Sequence, residues 1–392
     1  MQFPKHANLW LPAYLRSTMR RRARPKAKRL WVALTDHYEP LVTGKASLEQ
    51  ARARVGAWRD RWPNIALSAP LDATGKPPCF TFFYPQEEYH RELVATLAEI
   101  SRSGLTDVEV HIHHAEDTRE GLRAKLSEFL LRLEEHHGLL HHHNGRRVFG
   151  FIHGNWALDN SLPGGHCCGV AGEIQLLREL GCYADFTMPS VPSASQSRIV
   201  NQIYWTDGDP ALPRGFDSGI EATPGAGYQD GLLMIEGPLG LRWREQRIET
   251  GELAHYDPPT PYRVQRWLSL APQVGEDIFL KLFGHSARED NAAALIGSGS
   301  NPGALGPMFQ WIYEAAQERN LELHWVSAYN MYRAIERVVS PSKATDLHTE
   351  SRRAVDPKVF HPDPSEVPAS GEGHPEPSER PASFIAREEL SH

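Results

Sequence analysis

Val108-Glu109-Val110-His111-Ile112-His113-His114-Ala115-Glu116-Asp117-Thr118 passes from a β-branched apolar run straight into a helix signal. Val108, Val110 and Ile112 alternate with Glu109, His111 and His113, the period of a strand. Residues 119–135 then place Leu122, Leu126, Phe129, Leu130 and Leu133 at helical spacing on one face. The same succession recurs along the chain. Strands are predicted at 30–35, 80–84, 108–112, 148–152, 183–187, 232–235, 278–283 and 323–326. Helices are predicted at 47–60, 88–101, 119–135, 171–180, 262–269, 304–318 and 328–338. Alternation of this kind means parallel strands joined by crossover helices. Seven or eight such units predict an α/β fold, a (β/α) barrel spanning residues 29–338. Barrel active sites gather where strands end and loops begin.

Those exits are chemically unusual. The first strand ends Thr35-Asp36-His37-Tyr38-Glu39-Pro40, and the third ends in His111, His113 and His114. The next leads into His153-Gly154-Asn155-Trp156, another holds Asp185, and a late one ends Leu282-Phe283-Gly284-His285. Ionisable groups at the ends of buried strands are costly unless used or paired. Two or three His with a carboxylate suit a divalent ion that keeps a coordination position open. The chemistry predicted is metal-assisted hydrolysis, with an activated water as nucleophile. His111 and His113 share one side of their strand, so either is a candidate ligand, and His114 points the other way. Asp117-Thr118-Arg119-Glu120 also reads as a helix cap, which competes with a ligand role for Asp117.

The order of these motifs resembles the polysaccharide deacetylases of the NodB-homology type, carbohydrate esterase family 4, in the glycoside hydrolase/deacetylase barrel superfamily. The resemblance implies an irregular (β/α) barrel of about seven strands and removal of acetyl groups from a carbohydrate with a divalent metal, Zn or else Mn, Co or Ni. Asp36 matches that family's catalytic base, and His37 stands where its metal-binding Asp belongs. His113 takes the first metal-binding His position, and Asp117 stands four residues on, where the second His belongs. The set His37, His113 and Asp117 thus keeps two His and one carboxylate with the positions exchanged, and His111 is the alternative ligand. Asp185 matches the residue that supports the base, and His285 the general acid. His153, Asn155 and Trp156 fall at the substrate-handling motif, which lacks the family's Arg and Pro. The later His324-Trp325-Val326-Ser327-Ala328 fits a divergent subgroup. Two rivals stand beside this reading. One is a glycoside hydrolase using Asp36 or Glu39 with Asp185 as a carboxylate pair. The other is an inactive barrel that binds a glycan.

Composition bounds the remainder. The chain has 392 residues, 42 basic and 49 acidic, net −7, which argues against a general nucleic-acid partner. No apolar run is long enough to span a membrane. Four cysteines without a CxxC pair exclude a disulfide framework or a zinc finger. Residues 1–28 are strongly basic and read as a surface arm, a solvated extension with peripheral contact to anionic headgroups as the alternative, in a protein expected to be cytoplasmic. Residues 339–392, rich in Pro, Ser and Glu, read as a disordered tail. The cluster His136, His137, His141, His142 and His143 reads as solvated surface opposite the catalytic face. Gly164-Gly165-His166-Cys167-Cys168-Gly169 reads as a loop covering substrate, since no Gly-Lys-Ser/Thr follows for a phosphate loop.

Overall fold

A computed structural model describes residues 4–341. The strands are β1 (Arg29–His37), β2 (Phe80–Pro85), β3 (Thr106–Ile112), β4 (His141–His143), β5 (Arg146–His153), β6 (Cys182–Asp185), β7 (Ile203–Thr206), β8 (Ile220–Glu221), β9 (Leu232–Ile235), β10 (Gly240–Arg242), β11 (Arg247–Glu249), β12 (Glu252–Leu253), β13 (Gln273–Val274), β14 (Asp277–Gly284) and β15 (Glu322–Trp325). The helices are α1 (Ala7–Arg21), α2 (Leu48–Ser68), α3 (Arg91–Arg102), α4 (Arg119–His137), α5 (Glu173–Glu179), α6 (Pro261–Leu270), α7 (Glu289–Leu295), α8 (Leu305–Glu318) and α9 (Ala328–Val339). All eight predicted strands and seven predicted helices have a counterpart. The helices α1 and α7, the strand β7 and the β10–β11 hairpin were not anticipated.

Thirteen strands form one mostly parallel sheet, ordered β12-β14-β1-β2-β3-β5-β6-β9-β7-β8. β1 lies parallel to β14 along one edge, and on the other it meets β15 through Arg29–Val32 and β2 through Leu34–His37. The end strands β12 and β8 are not paired with each other among the described residues, so the ladders define a large sheet and not a closed ring. The parallel crossovers from β1 to β2, β2 to β3, β3 to β5 and β5 to β6 each carry a helix, whereas the one from β6 to β9 runs through β7 and β8 instead.

Strand parity sorts the side chains between two cores. Leu34, Phe82, Val110 and Phe151 pack outward against Trp58, Trp62, Leu97, Leu126 and Leu130 of the helices. Ala33, Phe83, Ile152, Trp205 and Phe279 face the other way and meet Met331 and Ile335 of α9. Trp58 and Trp62 are fully buried, so truncating either to Ala is worth about 3–5 kcal/mol. Trp58 Nε1 also donates to Ser286 O at 3.1 Å, tying α2 to the loop that carries His285.

The basic N-terminus corrects the expectation of a free arm. Residues 7–21 are helical, and Trp10, Ala13 and Tyr14 are buried against Val200, Leu239 and Leu270. Arg20 and Arg24 pair with Glu221. The helix docks because its aromatic residues recur at i and i+4 and form an apolar stripe. No described helix is long and apolar enough to cross a membrane. The expected tail falls, after Pro341, outside the described residues.

The histidine cluster at the far end of the sheet is also engaged rather than merely solvated. His141 Nε2 donates to Asp107 Oδ2 at 2.6 Å and its ring stacks on Tyr329 at 4.0 Å. His142 pairs with Glu134 and His143 with Glu336. Burial opposes charging His141, but the Asp107 carboxylate overrides it and pushes the imidazole up to about 9. A raised folded value means the ion pair stabilises fully below about pH 6.5 and is lost as pH rises through 9. Urea unfolding should therefore show the wild type losing about 1–2 kcal/mol relative to His141→Gln over that interval. Parallel stability curves for the two proteins would refute the pairing.

Candidate metal centre

The inner face of the sheet, at the C-terminal ends of β1, β3 and β14, collects four imidazoles around one carboxylate. Glu39 Oε1 lies 3.5 Å from His111 Nε2, 3.7 Å from His113 Nε2 and 3.9 Å from His285 Nε2. The His37 ring stands 4.7 Å from that of His285 and 5.1 Å from that of His111. The arrangement forms two overlapping sets of potential metal ligands, His37–Glu39–His285 and Glu39–His111–His113. Glu39 belongs to both. Its outer oxygen contacts Arg288 at 3.3 Å.

Period-2 geometry builds the site. His37 and Glu39 lie two residues apart at the end of β1, His111 and His113 two apart at the end of β3, so each pair shares a face. Gly154 makes room beneath them: a Cβ there would stand 2.4 Å from the His113 ring and 2.6 Å from Ile112 O. Asn155 and Trp156, both with φ of 53°, then swing the Trp156 ring to 5.6 Å from His37 and 5.8 Å from His285.

The outer nitrogens fix ring orientation. His111 Nδ1 donates to Ile152 O at 2.8 Å, and His113 Nδ1 donates to Glu87 Oε1 at 2.5 Å. Each bond leaves Nε2 as an acceptor aimed at Glu39. His111 Nε2 is buried and has no hydrogen-bond partner among the described residues. An acceptor nitrogen facing a carboxylate oxygen at 3.5 Å is unfavourable unless a cation lies between them. With metal–donor bonds of about 2.0–2.2 Å, neighbouring ligand atoms sit roughly 3–4 Å apart. The three Glu39 distances fall in that range, and the all-nitrogen-and-oxygen donor set suits Zn²⁺ and its first-row neighbours. Anchoring of ligand imidazoles by carbonyl and carboxylate acceptors is likewise usual at metal sites.

Burial governs the protonation of the group. It pushes His285 down to about 4 and holds His37 well below its usual value, so both rings are neutral near pH 7. Burial alone would raise Glu39, but the neighbouring imidazoles of His111, His285 and His113 hold it well below the usual carboxylate range. His113 and His285 remain 14% and 11% exposed. Together with the half-buried Trp156 they form the exposed side of the cluster.

Other expected residues stand elsewhere. Asp36 and His37 are adjacent and so point to opposite faces. The Asp36 carboxylate accepts Ser286 N at 3.0 Å and Ser286 Oγ at 2.7 Å, and burial pushes it up to about 7. It anchors the loop after His285 from the outer side. Asp117 does not join His37 and His113. The chain turns at Glu116, with φ of 49°, and the Asp117 carboxylate accepts Lys125 Nζ at 2.8 Å and lies 3.4 Å from His114 Nδ1. Thr118, not Asp117, caps α4 through Gly121 N. Asp185 accepts Thr187 N and Oγ1 near Lys281, which donates to Met188 O at 2.6 Å. His153 lies on the outer face, fully buried, and Asn155 is exposed. Glu87 and Glu252 were missed as parts of this site, and Glu39 entered only as a carboxylate of the glycosidase alternative and not beside the imidazoles. The i, i+2 relation of His37 and Glu39 was the available signal for that placement.

Glu87 gives a contained test of the anchoring. It binds both Nδ1 and the backbone N–H of His113 but is part-exposed. Glu87→Ala should weaken metal affinity about 10–100-fold in competition with a chromophoric chelator, with little change in the unfolding midpoint. Unchanged affinity would remove His113 from the ligand set.

Set against protein-family models and curated proteins, the chain matches none.

Proposed function

We propose that the chain is a metal-dependent hydrolase that removes acetyl or related acyl groups from a carbohydrate, on an irregular (β/α) barrel. The observation that carries this reading is the convergence of His37, His111, His113 and His285 on Glu39 Oε1, with the buried His111 Nε2 unpaired. Glu39, His111 and His113 would hold the ion, and His37 belongs with Glu39 and His285 to the overlapping set. Zn²⁺ fits these donors, and Mn, Co or Ni would use the same ones. When bound, the ion supplies Lewis-acid activation of water and of the acyl carbonyl.

The chain's own groups account for the rest. His285, neutral and at the rim, can take a proton at Nε2 and return it to the departing amine or alkoxide. Its Nδ1 lies 3.8 Å from Glu252 Oε1, which favours the protonated ring once formed. Trp156 offers an amphipathic face beside His37 and His285, suited to the apolar side of a sugar ring. The meeting of Ala33, Phe83, Ile152, Trp205 and Phe279 in one core supports a sheet curved into a barrel. The acetyl specificity rests on the resemblance of Leu282-Phe283-Gly284-His285 to the deacetylase motif. Of the two carboxylate pairs open to a glycosidase, Asp36 with Asp185 is disfavoured, because Asp36 is turned to Ser286 on the outer side.

The test is acetate release from N- and O-acetylated sugars by the metal-loaded protein. A chelator should abolish release and added Zn²⁺ should restore it. Release that survives complete metal removal would overturn the proposal. Sugar cleavage without acetate release would favour the glycosidase.

A further inference from the structure

Behind the inner cluster, on the outer face of the sheet, four further side chains converge. His114 follows β3, His153 ends β5, Cys168 lies in the glycine-rich loop and Glu173 opens α5. All four are buried. Glu173 Oε1 lies 3.3 Å from both His114 Nε2 and His153 Nε2, and Cys168 Sγ lies 3.7 Å from the other Glu173 oxygen. The two imidazole rings are 4.7 Å apart. One ligand atom from each residue falls within 4.8 Å of all the others.

Hydrogen bonding among these groups leaves contradictions that a cation removes. His153 Nδ1 donates to Gly154 O at 2.6 Å, so in the neutral ring its Nε2 is an acceptor, and it faces a carboxylate with no hydrogen-bond partner among the described residues. If His114 Nε2 donates to Glu173, its Nδ1 becomes a buried acceptor 3.4 Å from Asp117 Oδ2, also without a partner among the described residues. An ion on both Nε2 atoms resolves the two conflicts together. His114 Nδ1–H then points at Asp117, itself neutralised by Lys125. Glu173 Oε2 keeps its bond from Asp159 N at 2.6 Å. Two neutral imidazoles, a thiolate and a carboxylate carry two negative charges, the complement of a divalent ion.

We propose that His114, His153, Cys168 and Glu173 form a second metal site, a closed tetrahedral Zn²⁺ site of structural type. Four protein donors with no exposed position match the closed coordination of a structural zinc, here with a carboxylate where a second Cys is usual. The glycine-rich loop exists to deliver the sulfur. Asp117 N donates to Cys168 O at 3.1 Å, and Gly169, with φ of 92°, passes so close to Asp117 that a Cβ would stand 2.8 Å from its N. The ion thereby clamps the ends of β3 and β5 to the loop and to α5. His113 and His114 are adjacent, so the clamp also fixes the strand end that serves the inner cluster.

The inference is independent of the hydrolase reading, and sulfur is what separates the two sites, since the inner cluster contains none. Metal content and X-ray absorption of the full-length protein as purified should give two zinc ions per chain and a Zn–S shell at about 2.3 Å. Cys168→Ser should lose one ion and the sulfur shell, whereas Cys167→Ser keeps both. Glu39→Gln should lose the other ion and keep the sulfur. If Cys168→Ser fails to fold, Co²⁺ substitution of Cys167→Ser still reads the thiolate through its charge-transfer absorption. One ion per chain without sulfur scattering, or two ions without it, would overturn the assignment.

Discussion

Glu39→Gln should leave a folded protein that has lost the inner-face metal and about 10²–10⁴ of its turnover. Glu39 Oε1 is the one carboxylate oxygen that reaches His111, His113 and His285 within 4 Å among the described residues. The amide keeps the shape but loses the charge. Its N–H₂ can donate to the otherwise unpaired His111 Nε2, so the variant relieves the acceptor conflict without an ion, and stability should hold or rise. Asp36→Asn is the contrasting case, because its carboxylate serves Ser286 from the opposite face. It should keep its metal and lose activity only as far as the His285 loop shifts. Metal retained in Glu39→Gln and lost in Asp36→Asn would return the ion to the other side of β1.

The contrast between these two residues shows what could be read from the chain and what could not. The strand–helix alternation and the shared face of His111 and His113 follow from local periodicity, so both were legible. The same rule applied to Thr35-Asp36-His37-Tyr38-Glu39 would have separated Asp36 from His37 and joined His37 to Glu39. The pairing of Asp36 with His37 came instead from matching positions to a family motif. Asp117 was lost for a different reason: a positive φ at Glu116 redirects the chain, and single-residue dihedrals of that kind carry no periodic signal. The gathering of Cys168 and Glu173 with His114 and His153 depends on a loop of left-handed turns, and spacing cannot report it. The α1 stripe was visible in Trp10, Ala13 and Tyr14, but the dense basic charge pointed to an arm.

Removing the Glu249 carboxylate should cost about 3–5 kcal/mol, the largest single-residue loss expected outside the aromatic core. Glu249 ends β11, fully buried, and takes Arg263 Nε at 3.0 Å, Arg263 Nη2 at 2.7 Å and Gly251 N at 3.0 Å. Arg242, also buried, stands 3.3 Å away and pairs with Asp257 at 2.6 Å. Burial alone would raise the Glu249 carboxyl, but Arg263 holds it below its ordinary 4.5. A depressed folded value means that this stabilisation is complete above about pH 4.5 and is lost only in stronger acid. Glu249→Leu leaves two buried guanidinium groups against Asp257 and the part-exposed Glu245, whereas Glu249→Leu combined with Arg263→Met should recover much of the loss. The effect should also reach the site. Arg263 Nη2 donates to Glu252 O at 2.8 Å, β12 runs beside Phe283 and Gly284, and the Glu252 carboxylate faces His285. Turnover in Glu249→Leu should therefore fall while the metal stays bound, since none of the proposed ligands touches this cluster. Urea unfolding of the single and double variants decides the matter. A loss under about 1 kcal/mol in Glu249→Leu, below the range for breaking a buried pair, would mean that the arginines reach water and that the cluster does not buttress His285.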